Sequence, residues 1–283
     1  MDARDQVLIT ATELAAHIEA GDPLAILDVR WRLDDPDGRA AYLQGHLPGA
    51  VYVSLEDELS DHTLAGRGRH PLPSGRGLEA AARRWGIRQD DLVVVYDDWN
   101  RAGSARAWWV LTAAGLEKVR ILDGGLSAWR SAGRSLETGP VNPRPGNVTV
   151  PHDDLYAGSR PTLTAEQSGT VTLLDARAAE RFRGDVEPLD PVAGHIPGAK
   201  TFPAAPSWRP TARSSATRRS PNCCPTATSV VTAASASIAV RASPRPSPSR
   251  RSPRRAGKRC CTRDHGRSGV RIRPAPSPAV PTS

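Results

Sequence analysis

Two aspartate–arginine pairs and two histidines recur in the same order along the chain. Leu27-Asp28-Val29-Arg30 is followed by Gly45-His46-Leu47-Pro48-Gly49-Ala50, and Leu174-Asp175-Ala176-Arg177 by Gly194-His195-Ile196-Pro197-Gly198-Ala199. Asp28 and Asp175 lie 147 positions apart, His46 and His195 149. Imidazole is the side chain best suited to moving protons near neutral pH. Inside a Gly-His-x-Pro-Gly loop, however, it is read as fixing the loop by hydrogen bonding, and the two aspartates as anchoring backbone at strand ends. The strongest nucleophile, cysteine, occurs only as Cys223, Cys224, Cys260 and Cys261. Adjacent pairs fit neither a zinc spacing nor a disulfide framework, and residues 1–205 contain no cysteine.

Two motifs of different character, repeated in order at nearly one offset, mean a duplicated domain, and 283 residues suffice for two domains. The apolar spacing predicts a helix over 11–20 with Thr12 as its N-cap. Leu24–Val29 reads as a buried parallel strand, 42–50 as a loop and 51–53 as a short extended piece. A helix over 77–86 closed by Gly86 follows. Next come a strand at 92–96, a polar loop from Asp97 to Gly103, and a helix from Ser104 to Ala114. A strand at 119–122 and a helix over 126–131 complete the series. Strand, loop, helix, strand is α/β architecture with a mainly parallel sheet.

Residues 139–160 carry four prolines and no apolar periodicity, the signature of an interdomain linker. A second unit opens at Thr162, with Thr164 able to cap a short helix and 171–174 as its early strand. After Ala199 the repeat should continue, and it does not. The boundaries are therefore 5–138, a linker at 139–160, an incomplete copy at 161–205 and a tail at 206–283.

Charge divides at the same place. Beyond Ala205 stand 15 Arg and one Lys against Asp264 alone, a net of +15; the preceding 205 residues hold 22 basic and 29 acidic side chains, a net of −7. From Pro206 onward there is no Leu, Phe or Glu, so the tail cannot bury enough apolar surface to offset chain entropy, and disorder is expected. An Arg-rich arm can bind polyanions by counterion release, but the favoured reading is a frameshift. Taking the last base of one codon with the first two of the next, Thr232, Ala233, Ala234 and Ala236 permit Tyr, Cys, Gly and Gly. That places a cysteine loop after Val230-Val231. Thr211–Ser214 permits Asp-Gly-Lys-Phe, and Arg271–Pro278 permits a plausible domain ending. The sequence has no apolar stretch long enough to cross a bilayer and no secretory leader pattern; a cytoplasmic location is the expectation.

The Asp-x-Arg strand ends, the Gly-His-x-Pro-Gly-Ala loops, the Val-rich strand before a loop and helix, and Leu122-Asp123-Gly124-Gly125 through Trp129 together resemble the rhodanese family. Their tandem arrangement resembles the thiosulfate and 3-mercaptopyruvate sulfurtransferases, across about residues 5–205. The resemblance implies a cysteine after the Val-rich strand of the second domain. Inward-pointing amides and a helix N-terminus would stabilise its thiolate. It would take the outer sulfur of thiosulfate or 3-mercaptopyruvate and pass it to cyanide or a thiol, with no cofactor and no metal. The equivalent position of the first domain is Asp97, which cannot carry sulfur, so that domain is expected to be inert. Arg181 is implied to hold the donor's anionic end and Arg177 to support the pocket. Mercaptopyruvate-type members carry an arginine after a Glu-Pro segment; here Glu187-Pro188-Leu189 leads to Asp190, which tilts the preference toward thiosulfate. No cysteine stands in the nucleophile's context, so an inactive chain is expected. The competing reading is a non-catalytic rhodanese-fold interaction protein whose basic tail binds polyanions; membrane is not expected as a partner, and nucleic acid is disfavoured. A phosphatase of the same fold needs a Cys-x5-Arg loop, which Asp97–Arg101 does not supply. The tryptophans, among them Trp85, Trp108, Trp109 and Trp129, are read as core and interface filling.

Overall fold

The run Leu92–Tyr96, with the β-branched Val93, Val94 and Val95 at its centre, forms the middle strand of a five-stranded sheet in the computed structural model, which describes residues 3–188 and 190–202. In chain order the elements are α1 (Ala3–Val7), β1 (Leu8–Ile9), α2 (Ala11–Ala20), β2 (Leu24–Asp28), α3 (Arg39–Gln44) and β3 (Val51–Tyr52). They continue with α4 (Gly75–Arg84), β4 (Leu92–Tyr96), α5 (Ala102–Ala113), β5 (Val119–Leu122) and α6 (Gly125–Ser131). The sheet runs β1-β5-β4-β2-β3 and every pairing is parallel, with Leu24 opposite Leu92 and Asp28 opposite Tyr96. A parallel sheet needs both faces covered, and the period of two divides the side chains accordingly. Leu27, Val93 and Val95 meet α4, α5 and Val148 on one face. Ile26, Val94 and Tyr96 meet α2 and α6 on the other. A side chain such as Leu27, fully buried, contributes about 1.5–3 kcal/mol relative to exposure.

Several boundaries differ from the sequence reading. The cap of α2 is Thr10 rather than Thr12. The Thr10 hydroxyl accepts from Glu13 N–H while the Glu13 carboxylate accepts from Thr10 N–H, a reciprocal capping box. The helix α3 runs into the segment expected to be loop from Tyr42. Ser74 caps α4 two residues earlier than expected, and the helix stops at Arg84, with Gly86 at φ +83° just beyond it. The helix α5 starts at Ala102, because Asp97 and Asn100 cap its opening turn before Ser104 is reached. Trp85 and Trp129 are core side chains; Trp108 and Trp109 are half-buried.

The proline-rich segment 139–160 straps the five-stranded lobe. Val148 and Leu155 are buried in its core, and the N–H groups of Gly146 and Ser159 donate to Arg83 O and Ala113 O at 2.8 Å each. A Cβ on Gly146 would stand 1.8 Å from Ile87 O, so only glycine lets the strap lie this close.

Beyond the strap, Leu174–Asp175 forms β6, Ala179–Arg183 forms α7 and Lys200–Thr201 forms β7. The strands β6 and β7 pair in parallel, Leu174 opposite Lys200, as Leu27 lies opposite Val51 in β2 and β3. The strand expected over 171–174 begins only at Leu174. Leu173 is buried, whereas Val171, Val186, Val192 and Phe202 are exposed. The frame-shifted readings, all four cysteines and Leu189 lie outside the described residues.

Candidate functional site

Asp28 ends β2 fully buried, and Arg30 forks onto it from two residues away: Nε donates to Oδ1 at 2.9 Å and a terminal nitrogen to Oδ2 at 2.5 Å. The same guanidinium donates to Gly45 O at 2.9 Å, tying the Gly-His-x-Pro-Gly loop to the strand end. Burial alone would lower the Arg30 pKa, but the hydrogen bond to Asp28 and its charge prevail and raise it. Tyr96 Oη donates to Asp28 at 2.5 Å and accepts from Leu47 N–H at 3.1 Å. Burial, then the Asp28 charge, pushes that phenol well above its ordinary range. His46, wholly buried, stacks on Tyr42 at 4.1 Å, and its Nδ1 lies 2.9 Å from Tyr42 O. A carbonyl only accepts, so Nδ1 carries the proton. The histidine locks the loop as expected.

The loop after β4 folds inward around Asp97. Its Oδ1 accepts from the N–H groups of Trp99 and Arg101, each at 3.2 Å. Its Oδ2 accepts from Ser104 N–H at 3.0 Å and Ser104 Oγ at 2.7 Å. Arg101, at φ +68°, turns the chain into α5. Gly103 lets that first turn press on the end of β2, since a Cβ there would stand 1.7 Å from Val29 O. The result is a nest of donors at a helix N-terminus, suited to one anion, and the buried Asp97 carboxylate fills it. Burial pushes its carboxyl up, against the hydrogen bonds from Ser104, Trp99 and Arg101 that favour ionisation. Ser104 is a partner that sequence reasoning missed, although its place at the predicted helix start was the available signal.

The segment from β6 to β7 shows the same clasp. Arg177 Nε donates to Asp175 Oδ1 at 3.0 Å, and a terminal nitrogen donates to Asp175 Oδ2 and to Gly194 O, both at 2.7 Å. His195 stacks on Phe182 at 3.7 Å with Nδ1 2.7 Å from Phe182 O. Burial opposes it, but the Arg177 hydrogen bonds hold the Asp175 carboxyl below its usual value. Arg181 donates to Glu187 Oε1 at 2.7 Å and to Asp190 Oδ2 at 3.1 Å, and Arg177 approaches Glu187 at 3.6 Å. Glu187 thus brings Arg177 and Arg181 together. No hydrogen bond or ion pair among the described residues links them to Asp97. The two acids holding Arg181 were not foreseen; they stand six and nine positions downstream, where spacing alone does not signal contact.

A further polar cluster lies at the edge of the five-stranded lobe. Glu56 accepts from Trp31 Nε1 at 2.6 Å and contacts His70 Nε2 at 3.0 Å and His62 Nε2 at 2.9 Å. The buried Arg106 donates to the carbonyls of Leu59, His70 and Pro71, and burial lowers its pKa to about 10. Among the described residues no group of three or more His, Cys, Asp or Glu side chains could hold a metal. No helix among them is long and apolar enough to cross a membrane.

Comparison with known proteins places this geometry. The rhodanese-like domain family matches residues 10–132. The chain is 77% identical over 206 residues to the Mycobacterium tuberculosis protein named "Putative thiosulfate sulfurtransferase SseB", covering 72% of each chain. It is 37% identical over 209 residues to the 3-mercaptopyruvate sulfurtransferase of Escherichia coli, covering 69% of this chain and 70% of that one. The crystal structure of SseA from Escherichia coli superposes with a TM-score of 0.57 at 35% identity, covering 69% of this chain and 74% of that one. With an α/β fold built on a parallel sheet, an amide nest after the Val-rich strand and this extent of identity, the chain belongs to the rhodanese family of sulfurtransferases.

Proposed function

We propose that this chain descends from a tandem thiosulfate sulfurtransferase and has lost its reactive cysteine. The observation that carries the reading is that residues 1–205 contain no cysteine; in the first domain the nest after β4 is filled by the Asp97 carboxylate, which cannot carry sulfur. The repeated Asp–Arg–glycine carbonyl clasp supports duplication, with a first domain over 5–138 and a partial second domain over 161–205. In an intact second domain, a thiolate takes the outer sulfur of thiosulfate, releasing sulfite and leaving a persulfide. The persulfide gives that sulfur to cyanide or a thiol, and the thiolate returns. We assign Arg181 to the donor's anionic end and Arg177 to support of the pocket. Glu187 and Asp190 compete with the donor for Arg181.

The loss is assigned to a frameshift near Ala205. The match to the M. tuberculosis relative runs for 206 residues, the length of the stretch before the composition breaks, which supports this reading. Cyanide-dependent thiocyanate formation by the full chain should not exceed background. Turnover well above it would mean that a tail cysteine is recruited and would overturn the proposal. The coding DNA is the second test: a shifted frame lacking a cysteine codon at Ala233, or interrupted by stop codons, removes the frameshift.

A further inference from the structure

The five-stranded lobe carries a cleft of about 500 Å³ that the sulfur chemistry above does not use. Its walls come from the residues after β2 (Arg30, Arg32), the end of α3 (Gln44), the loop after β4 (Asp98) and the outer face of α6 (Ser127, Arg130). The chain leaves β2 toward β3 on one side and leaves β4 toward β5 on the other. The cleft therefore opens at the carboxyl ends of two adjacent strands whose connections diverge, the topological switch point at which open α/β sheets bind ligands. Its volume falls within the usual range of about 300–1,000 Å³ for small-molecule sites.

Charge decides what would enter. Arg30 is spent on Asp28 and Gly45 O. Arg32 meets Asp98 at 2.9 Å through one terminal nitrogen and lies 5.4 Å from the Trp99 ring centre. Asp98 Oδ1 has no hydrogen-bond partner, so the pair is not bidentate and Arg32 keeps N–H groups to donate. It is also 45% exposed, and ion pairs at that exposure are worth about 0–1 kcal/mol, so a competing anion can share it. Arg130 is exposed and in no ion pair among the described residues. Three guanidinium groups thus face two carboxylates, Asp28 and Asp98, leaving one positive charge over. The remaining walls offer the neutral donors Ser127 and Gln44.

We propose that this cleft binds a small anion, its carboxylate or sulfur oxyanion taken by Arg130 and Arg32 and any polar remainder by Ser127 and Gln44. The site is independent of the sulfur-transfer reading, which places its anion on Arg181. Titrating the full chain with pyruvate and, separately, with thiosulfate by calorimetry tests it. Saturable binding of either anion that weakens about tenfold or more in Arg130→Gln, one charge-assisted hydrogen bond's worth, and is unchanged in Arg181→Gln is the expected result. The arm that saturates identifies the anionic group. Binding lost in Arg181→Gln but kept in Arg130→Gln, binding indifferent to both, or no saturable binding would overturn it. Arg130 is exposed on α6, so its substitution leaves folding intact.

Discussion

Arg177 lies across the Asp175 carboxylate as Arg30 lies across Asp28, each also donating to the glycine carbonyl that opens the Gly-His-x-Pro-Gly loop. The geometry is shared, but the burial is not. The Arg30 and Asp28 side chains are 5% and 0% exposed; those of Arg177 and Asp175 are 27% and 13%. Removing one partner of a buried pair leaves an uncompensated charge and costs about 3–5 kcal/mol, whereas a pair nearer water is worth about 1 kcal/mol or less. Arg30→Ala is therefore expected to lower the urea midpoint of the tryptophan-monitored transition sharply, and Arg177→Ala to leave it nearly unmoved. Equal effects would show that burial does not govern this clasp.

How much of this could be read beforehand depended on how local the signal was. The strands β2, β4 and β5 come from short, mainly apolar runs. The sheet was legible for that reason. The cap of α2 was misjudged because Thr10 and Thr12 both fit, and Glu13 three residues after Thr10 was the deciding cue. The helix α3 has only six residues and no apolar stripe, so it was hidden in a predicted loop. Val148 and Leu155 are isolated apolar residues in a proline-rich stretch, and only the assembled sheet shows that they fill its core. At the site, the Asp97 loop followed from resemblance, while the Asp–Arg clasp, where the sequence suggested only aspartates anchoring backbone, and the acids around Arg181 needed three-dimensional coordinates.

The nest around Asp97 should tame a thiol. In Asp97→Cys the sulfur would stand among the N–H groups of Trp99, Arg101 and Ser104 at the start of α5. Donors and dipole both favour the thiolate, so its pKa should fall below the ordinary value of about 8.5. Alkylation rate against pH, resolved by peptide mass spectrometry from the four tail cysteines, measures it. Adding Ser104→Ala should raise the value again. A titration at or above the ordinary value would mean that the nest does not stabilise an anion.

Acid should weaken the five-stranded lobe through His70. Burial, with help from the nearby Arg106 and His62 charges, holds its pKa below the usual imidazole value despite Glu56. The folded state therefore binds this proton less readily than the unfolded chain, and stability must fall as pH drops from about 6.5 toward the lowered value. Glu56 acts in the same direction at lower pH. Burial pulls its carboxyl up, but the hydrogen bonds from Trp31 and His70 prevail and hold it down, so its contribution disappears on protonation. Asp97, whose carboxyl is pushed up, runs the opposite way. His70→Gln keeps a donor toward Glu56 and removes the titrating ring. It should flatten the decline in urea midpoint between about pH 7 and 5.5. An unchanged slope would assign the decline to another group.

The approach of α5 to the end of β2 is the most demanding contact beneath the nest. A methyl group on Gly103 would stand 1.7 Å from Val29 O and 3.4 Å from Val29 Cγ1. The obstacle is backbone, which cannot rotate away as a flexible side chain would. Gly103→Ala must lift the first turn of α5 off the strand, and the donors of that turn, Ser104 N–H among them, move with it. Overpacking of this kind costs about 1–3 kcal/mol and sometimes more. The substitution should lower the urea midpoint and, placed in the Asp97→Cys background, return the thiol pKa toward its ordinary value. If the midpoint falls while the thiol stays acidic, the nest is shaped by the loop alone and the seat of α5 on β2 has no part in it.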